Sequence, residues 1–302
     1  MLQLPKHISD KVRQSVLITG SARSGTSIFG KLIGSLESVE YFFEPPTLFS
    51  LFALLNDLPA SQARFLFDTF LYEELLIGAI SGRTINLRGQ DDSSIRHTKT
   101  EAEIARRLEA SARKGEMETE SAVIAVKVPD FVYRLPAIAD QLGVQRLLVS
   151  VRDPGSTINS LVRRRWFTDA SLQSGDITWP NRFRTRVPSP HWVPADWLSA
   201  WDDLSEVDRA ALYYVTQTDL PEDLPGETLV FGYDQLLAQP RNLLRAVAER
   251  LGLDFGPRTE TLLANVGVQE STAQFDLGQV RSDLRVQIRA AYDRAASHCL
   301  TL

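Results

Sequence analysis

The chain has one cysteine, Cys299, among 302 residues, so no internal disulfide can form and no cysteine-based metal site is expected. It has no excess of positive charge. A net charge of -5 gives no footing for non-specific nucleic-acid binding, so any site for an anion has to be built locally. Long apolar runs are missing as well, and no stretch approaches the ~20 residues that span a bilayer. The first residues, MLQLPKHISDKVRQ, carry Pro5, His7 and Asp10 and no apolar core. They do not read as a signal peptide, and a cytoplasmic location is the expectation.

What is present is ordinary for a folded chain: 43% hydrophobic and 24% charged residues. Short, continuous apolar runs recur at Ser15–Gly20, Val39–Phe43, Ala122–Lys127, Arg146–Val151 and Glu227–Tyr233. Each precedes a segment of helical periodicity. That alternation predicts an α/β fold, with a P-loop-like parallel sheet of about five strands covered by helices on both faces. Residues 47–80 read as two helices broken near Asp57–Ser61, and residues 81–100 as a polar surface loop. Thr100–Lys114 reads as a helix, opened by Thr100 and Glu103. Asp234 is the expected cap of a helix that runs to Leu251 and stops at Gly252. Further helices are expected near 258–265 and 279–297. No repeat or linker divides the chain, so residues 1–302 are taken as one domain. The stretch 166–201, which holds all five tryptophans, is read as an insertion on the acceptor side or a lid.

The most informative stretch is SVLITG-SARSG-TSIFGKLIGSL, residues 15–36. A buried strand runs into a Gly/Ser turn, and Thr26 opens an amphipathic helix with apolar residues at Ile28, Phe29, Leu32, Ile33 and Leu36. The first N–H groups of such a helix lack partners within it and point at whatever lies before it, and the helix dipole adds positive potential there. Gly20 and Gly25 let the backbone approach a ligand, and Arg23 adds a full charge. A nucleoside-triphosphate loop would read G-x-x-x-x-G-K-[S/T]. Here Gly20 and Gly25 have that spacing, but Thr26 and Ser27 follow directly and the basic residue comes earlier. A tight strand–helix turn with incidental polar residues is the alternative.

A second stretch, RLLVSVRDPGSTINSLVRR, places Arg152 at the end of a strand and Ser160 eight residues later on the next helix. An arginine can hold a phosphate through two parallel charge-assisted bonds, with a serine hydroxyl adding a third. Asp153 offers a plainer alternative as an ion-pair partner for Arg152.

Together these residues resemble the sulfotransferases that use 3′-phosphoadenosine 5′-phosphosulfate (PAPS), and most of all the carbohydrate sulfotransferases and their bacterial relatives. Arg23-Ser24-Gly25-Thr26-Ser27 is similar to that family's 5′-phosphosulfate loop. Arg152 and Ser160 match the spacing of its 3′-phosphate motif. FGYDQLLAQPRNLLRAVAERLGL is similar to its later strand–turn–helix. The R-K-G-x-x-G motif of the cytosolic phenol and steroid enzymes is missing.

The resemblance implies transfer of a sulfuryl group from PAPS to a small-molecule or glycan hydroxyl, less readily to an amine. It implies PAP (3′-phosphoadenosine 5′-phosphate) as product and no required metal. Arg23 is then the candidate for charge at the transferring group, with Ser24, Gly25, Thr26 and Ser27 around it. Glu44, in FFEPP, is the candidate general base, or else a structural carboxylate paired with a basic residue. His191 is the rival base. Lys127 either faces the sulfuryl group or is a solvated strand-end lysine. The tryptophans are stacking surfaces for an acceptor or members of a satellite core, the latter suiting Trp197 and Trp201. Arg163, Arg164 and Arg165 either read an acidic acceptor or are merely exposed. Two other functions stay open: a P-loop nucleotide kinase, and a non-catalytic nucleotide-binding protein of the same fold.

Overall fold

The computed structural model describes residues 4–109, 119–174, 180–267 and 275–302. Its centre is a five-stranded sheet, all parallel. The strands are Val16–Gly20, Val39–Phe43, Val123–Lys127, Arg146–Val151 and Glu227–Gly232. In space the order is second, third, first, fourth, fifth. The five runs picked out by apolar continuity are these five strands, within a residue or two at each end.

Their side chains alternate between two cores, as the two-residue period of a strand requires. Leu17, Ile124, Val126, Leu147, Val149 and Val230 point into the larger core. It is closed by helices Pro46–Ala53, Ala60–Thr69, Pro154–Arg163, Glu206–Thr216 and Ser282–Ser297. Val16, Ile18, Ala125, Leu148 and Phe231 face the smaller core, under helices Thr26–Gly34 and Pro240–Leu251. Both faces of the sheet are thus covered, which is why apolar residues dominate every strand, with single polar ones such as Glu40 and Ser150 among them.

The order fixes where a ligand can sit. The chain leaves the first strand toward the second on one side, and leaves the fourth toward the fifth on the other. The first and fourth strands are neighbours, with Gly20 in register with Ser150. Their carboxyl ends therefore flank the crevice at which an open parallel sheet binds ligands. The Arg23 loop and the Arg152 turn emerge at that crevice.

Several local expectations hold. Thr100 and Glu103 form a reciprocal capping box, with Glu103 Oε2 accepting from the Thr100 amide at 2.8 Å and Thr100 Oγ1 from the Glu103 amide at 3.3 Å. That helix is described to Glu109, so the end expected at Lys114 lies outside the described residues. Gly252 closes its helix with φ 68°. Others are corrected. The cap expected at Asp234 is Gly232, and the helix starts at Tyr233. The single helix drawn to Leu251 is two, Tyr233–Ala238 and Pro240–Leu251. Pro240 has no N–H to continue a helix and takes a first-turn position of the second one.

Within 166–201 the described residues form a short helix, Asp169–Ser174, and a two-residue antiparallel pair, Asn181–Arg182 with Ser189–Pro190. Trp192 and Trp201 are buried in the larger core, edge to face with ring centres 5.7 Å apart. Trp197 is half-buried under the Arg281 guanidinium. Trp179 lies outside the described residues. Among the described residues, Trp166 is the tryptophan that reaches the ligand crevice.

Candidate functional site

The crevice is a cleft of about 650 Å³. The first strand ends in Gly20, whose φ of 144° brings its α-carbon against the fourth strand. A Cβ there would lie 2.6 Å from the Ser150 carbonyl oxygen. The loop then turns through Arg23 at φ 72° and Gly25 at φ 89°, both left-handed. Gly25 also sits on the Tyr233 ring, 2.5 Å from where a Cβ would be. Two conditions therefore demand glycine at this place, the dihedral and the contact.

Beneath the loop lies a buried brace. The Ala22 amide donates to Tyr213 Oη at 2.6 Å, and the Tyr213 hydroxyl donates to Asp130 Oδ1. The Asp130 amide donates to the Gly20 carbonyl at 3.2 Å. Burial, and then the Asp130 carboxylate, push the Tyr213 pKa well up, so it stays a hydroxyl and keeps donating. The Ser24 hydroxyl donates to the Ser21 carbonyl at 2.6 Å and the Ser150 hydroxyl to the Ser24 carbonyl. The helix Thr26–Gly34 makes its first bond from Phe29 to the Gly25 carbonyl, so the amides of Gly25, Thr26, Ser27 and Ile28 have no partner among the described residues. They line the cleft with the Arg23 side chain.

Arg152 leaves the fourth strand with its guanidinium 4.3 Å from the centre of the Tyr233 ring. Its Nη1 donates to the Arg23 carbonyl at 2.8 Å, and the Tyr214 hydroxyl donates to the Arg152 carbonyl at 2.8 Å. Asp153 does not pair with it. Its carboxylate caps the next helix, accepting from the Ser156 amide at 2.8 Å. Ser160, two turns along that helix, accepts from Arg23 Nε at 3.1 Å. Among the described residues, no carboxylate forms an ion pair with Arg23 or Arg152. Burial, and then the like charges of Arg164 and Arg152, hold the Arg23 pKa below the usual arginine value. The two guanidinium groups share one cleft, and each is short of negative charge.

On the other side, the second and third strands end together in Phe43 and Lys127, which are in register. Glu44 follows at φ 46°, its amide donating to the Lys127 carbonyl at 2.9 Å. Lys127 is 3% exposed, and its ammonium donates to Glu44 Oε1 and lies 4.6 Å from the Phe43 ring centre. Glu44 and Lys127, read separately in the sequence, are one ion pair, and the carboxylate's partner is this lysine. The Glu44 side chain keeps 30% of its surface open to the cleft.

The structure thus brings Arg23, Gly25, Thr26, Ser27, Arg152, Ser160, Glu44 and Lys127 to one cleft. Ser24 is buried under the loop and shapes it. His191 is not brought there. It is 5% exposed, its ring stacked on Phe131 with centres 4.6 Å apart and its Nδ1 2.6 Å from Tyr133 Oη. Burial, with Arg134 and Arg182 nearby, lowers its pKa to about 3. It is not among the residues that line the cleft. Sequence reasoning missed Asp92, which lines the cleft from the polar loop and pairs with Lys31 at 2.7 Å. It also missed the Tyr213–Asp130 brace and Tyr233 as the spacer between the two anion-facing turns. Tyr233 had a signal in its strand-end position. Asp92 and Asp130 had none, because a polar residue outside a helix or strand carries no periodicity, and Tyr213 read only as one more apolar position of its helix.

Among the described residues, no group of three or more His, Cys, Asp or Glu side chains is placed to hold a metal ion. Among the same residues, no helix is long and apolar enough to cross a membrane.

No family model matches the sequence, and no curated protein matches it. Solved structures do. The sulfotransferase domain of the Synechococcus PCC 7002 olefin synthase is 15% identical, over 95% of this chain and 88% of that one, with a TM-score of 0.42. A Mycobacterium avium sulfotransferase is 13% identical, over 96% of this chain and 77% of that one, with a TM-score of 0.44. The sulfotransferase domain of the curacin biosynthetic pathway is 16% identical, over 94% and 96%, with a TM-score of 0.37.

Proposed function

We propose that this chain is a PAPS-dependent sulfotransferase acting on a hydroxyl of a carbohydrate or natural-product acceptor. The observation that carries the proposal is the pair Arg23 and Arg152. They are two guanidinium groups without a carboxylate partner among the described residues, joined through the Arg23 carbonyl, with Ser160 bonded to Arg23, at the crevice of a parallel sheet. A ligand with two separate anionic groups fits them. The free amides of Gly25–Ile28 and Arg23 would take the 5′-phosphosulfate, and Arg152 with Ser160 the 3′-phosphate.

The chemistry follows from position. The acceptor oxygen attacks sulfur in line, the bond from sulfur to the 5′-phosphate oxygen breaks, and PAP leaves with that electron pair. Such a transfer asks for alignment and for stabilisation of charge on the peripheral and leaving oxygens, as in phosphoryl transfer. Arg23 and the helix amides supply the charge. Glu44 takes the acceptor's proton. Lys127 holds that carboxylate toward the cleft, and its ammonium keeps donors for the sulfonate oxygens. An arginine in place of the usual P-loop lysine stabilises the leaving phosphate as a fixed charge and does not give up a proton. Trp166 belongs to the acceptor side.

Thermal denaturation with PAP against ATP–Mg tests this reading. We expect PAP to raise the midpoint and ATP–Mg to leave it within about 1 °C. The reverse would support the kinase. A shift with PAP but no consumption of PAPS with any hydroxyl acceptor would support a non-catalytic binder.

A further inference from the structure

The cleft holds more positive charge than its two anion-facing turns account for. Arg163 and Arg164, at the end of the helix that carries Ser160, line it as well, followed by Trp166. Both arginines are exposed, and neither pairs with a carboxylate among the described residues. Arg164 is near enough to Arg23 that its charge acts on that group ahead of Arg152. A pair of like charges beside a third is unfavourable until an anion arrives, and the chain as a whole is acidic, so their gathering here is local.

The helix rises about 1.5 Å per residue, so Arg163 stands about 14 Å along the cleft wall from Pro154. The turns that would hold the two ends of the nucleotide lie at the start and middle of that wall. Its far end pairs two guanidinium groups with an indole. Planar bidentate donors beside an aromatic face suit a carboxylate, phosphate or sulfate on a flat or sugar-like body.

Resting on the proposed sulfotransferase reading, we infer that Arg163, Arg164 and Trp166 form an acceptor subsite for an acid. The acceptor carries, besides the hydroxyl that is sulfated, an anionic group held by these arginines.

Calorimetry tests this in two arms. PAP is first titrated into the wild-type chain and into the double variant R163Q/R164Q, and the two affinities are expected to agree within about threefold. PAP-saturated protein is then titrated with 4-hydroxybenzoate against its methyl ester, and with glucuronate against glucose. In the wild type, the acid of at least one pair should bind about tenfold tighter than its uncharged twin. In the double variant that preference should vanish. Equal binding of acid and twin in both pairs, no binding of any of the four, or a preference that survives the double variant would each overturn the inference. So would a tenfold loss of PAP affinity in the variant, which would assign the arginines to the nucleotide. If the wild-type chain does not bind PAP, the sulfotransferase reading fails first, and the acid preference is then read on the ligand-free protein.

Discussion

Replacing Arg152 by alanine separates two roles that the structure gives to one side chain. As a ligand, its guanidinium would grip the 3′-phosphate of PAP. As a strut, it stacks on Tyr233 and donates to the Arg23 carbonyl at 2.8 Å. A charge-assisted hydrogen bond contributes about 1.5–3 kcal/mol, so losing a two-pronged grip costs about 3 kcal/mol or more, a factor of about 150 in affinity. The strut is a single exposed bond worth about 1 kcal/mol, a factor of about five. Comparing PAP with AMP, which lacks the 3′-phosphate, tells the roles apart. Calorimetry on the wild type should show PAP tighter than AMP by about two orders of magnitude. In R152A that ratio should collapse to within about threefold, while AMP affinity falls by fivefold or less. R152K, which keeps the charge but not the fork, should fall between. If R152A weakens PAP and AMP equally, Arg152 is a brace for the loop and the 3′-phosphate assignment is wrong. If neither changes, the cleft does not bind this nucleotide in the proposed way.

Two other outcomes follow from the same geometry. Glu44→Gln keeps the shape but removes the base and the charge that Lys127 meets. Turnover of PAPS should drop by at least about 10²-fold with PAP affinity within about threefold, because general-base contributions are of that size. Full activity would mean that another group takes the proton. The second outcome concerns His191, whose pKa is lowered to about 3 by burial and by Arg134 and Arg182. The unfolded chain therefore takes up a proton near pH 6.5 that the folded chain refuses until about pH 3, and stability falls as pH drops through that window. From pH 7 to pH 5 this amounts to about 2 kcal/mol. Urea denaturation of wild type and His191→Gln at the two pH values measures it, and the variant should lose about 2 kcal/mol less. A wild-type stability flat between those pH values would contradict the buried neutral imidazole.

The strands were legible because the sheet is covered on both faces, so apolar residues dominate each one and polar ones such as Glu40 and Ser150 enter singly, and the order of the two anion-facing turns was legible because each follows a strand directly. Pairings across the chain were not. Glu44 and Lys127 lie 83 residues apart, and only the register of the second and third strands sets them side by side. His191 shows the limit from the other direction. Its type advertises proton transfer, yet its ring is packed on Phe131. Asp153 shows a third case, since a carboxylate next to an arginine in sequence suggests an ion pair. Here the backbone claims it, because a helix beginning with Pro154 needs an acceptor for its early amides and Asp153 is the residue in reach. That local demand is what leaves Arg152 uncompensated. The anion site of the fourth strand is therefore a consequence of helix capping as much as of the arginine itself. A residue at 153 that could not cap would unsettle the helix carrying Ser160, and one that could pair with Arg152 would spend the charge the cleft depends on.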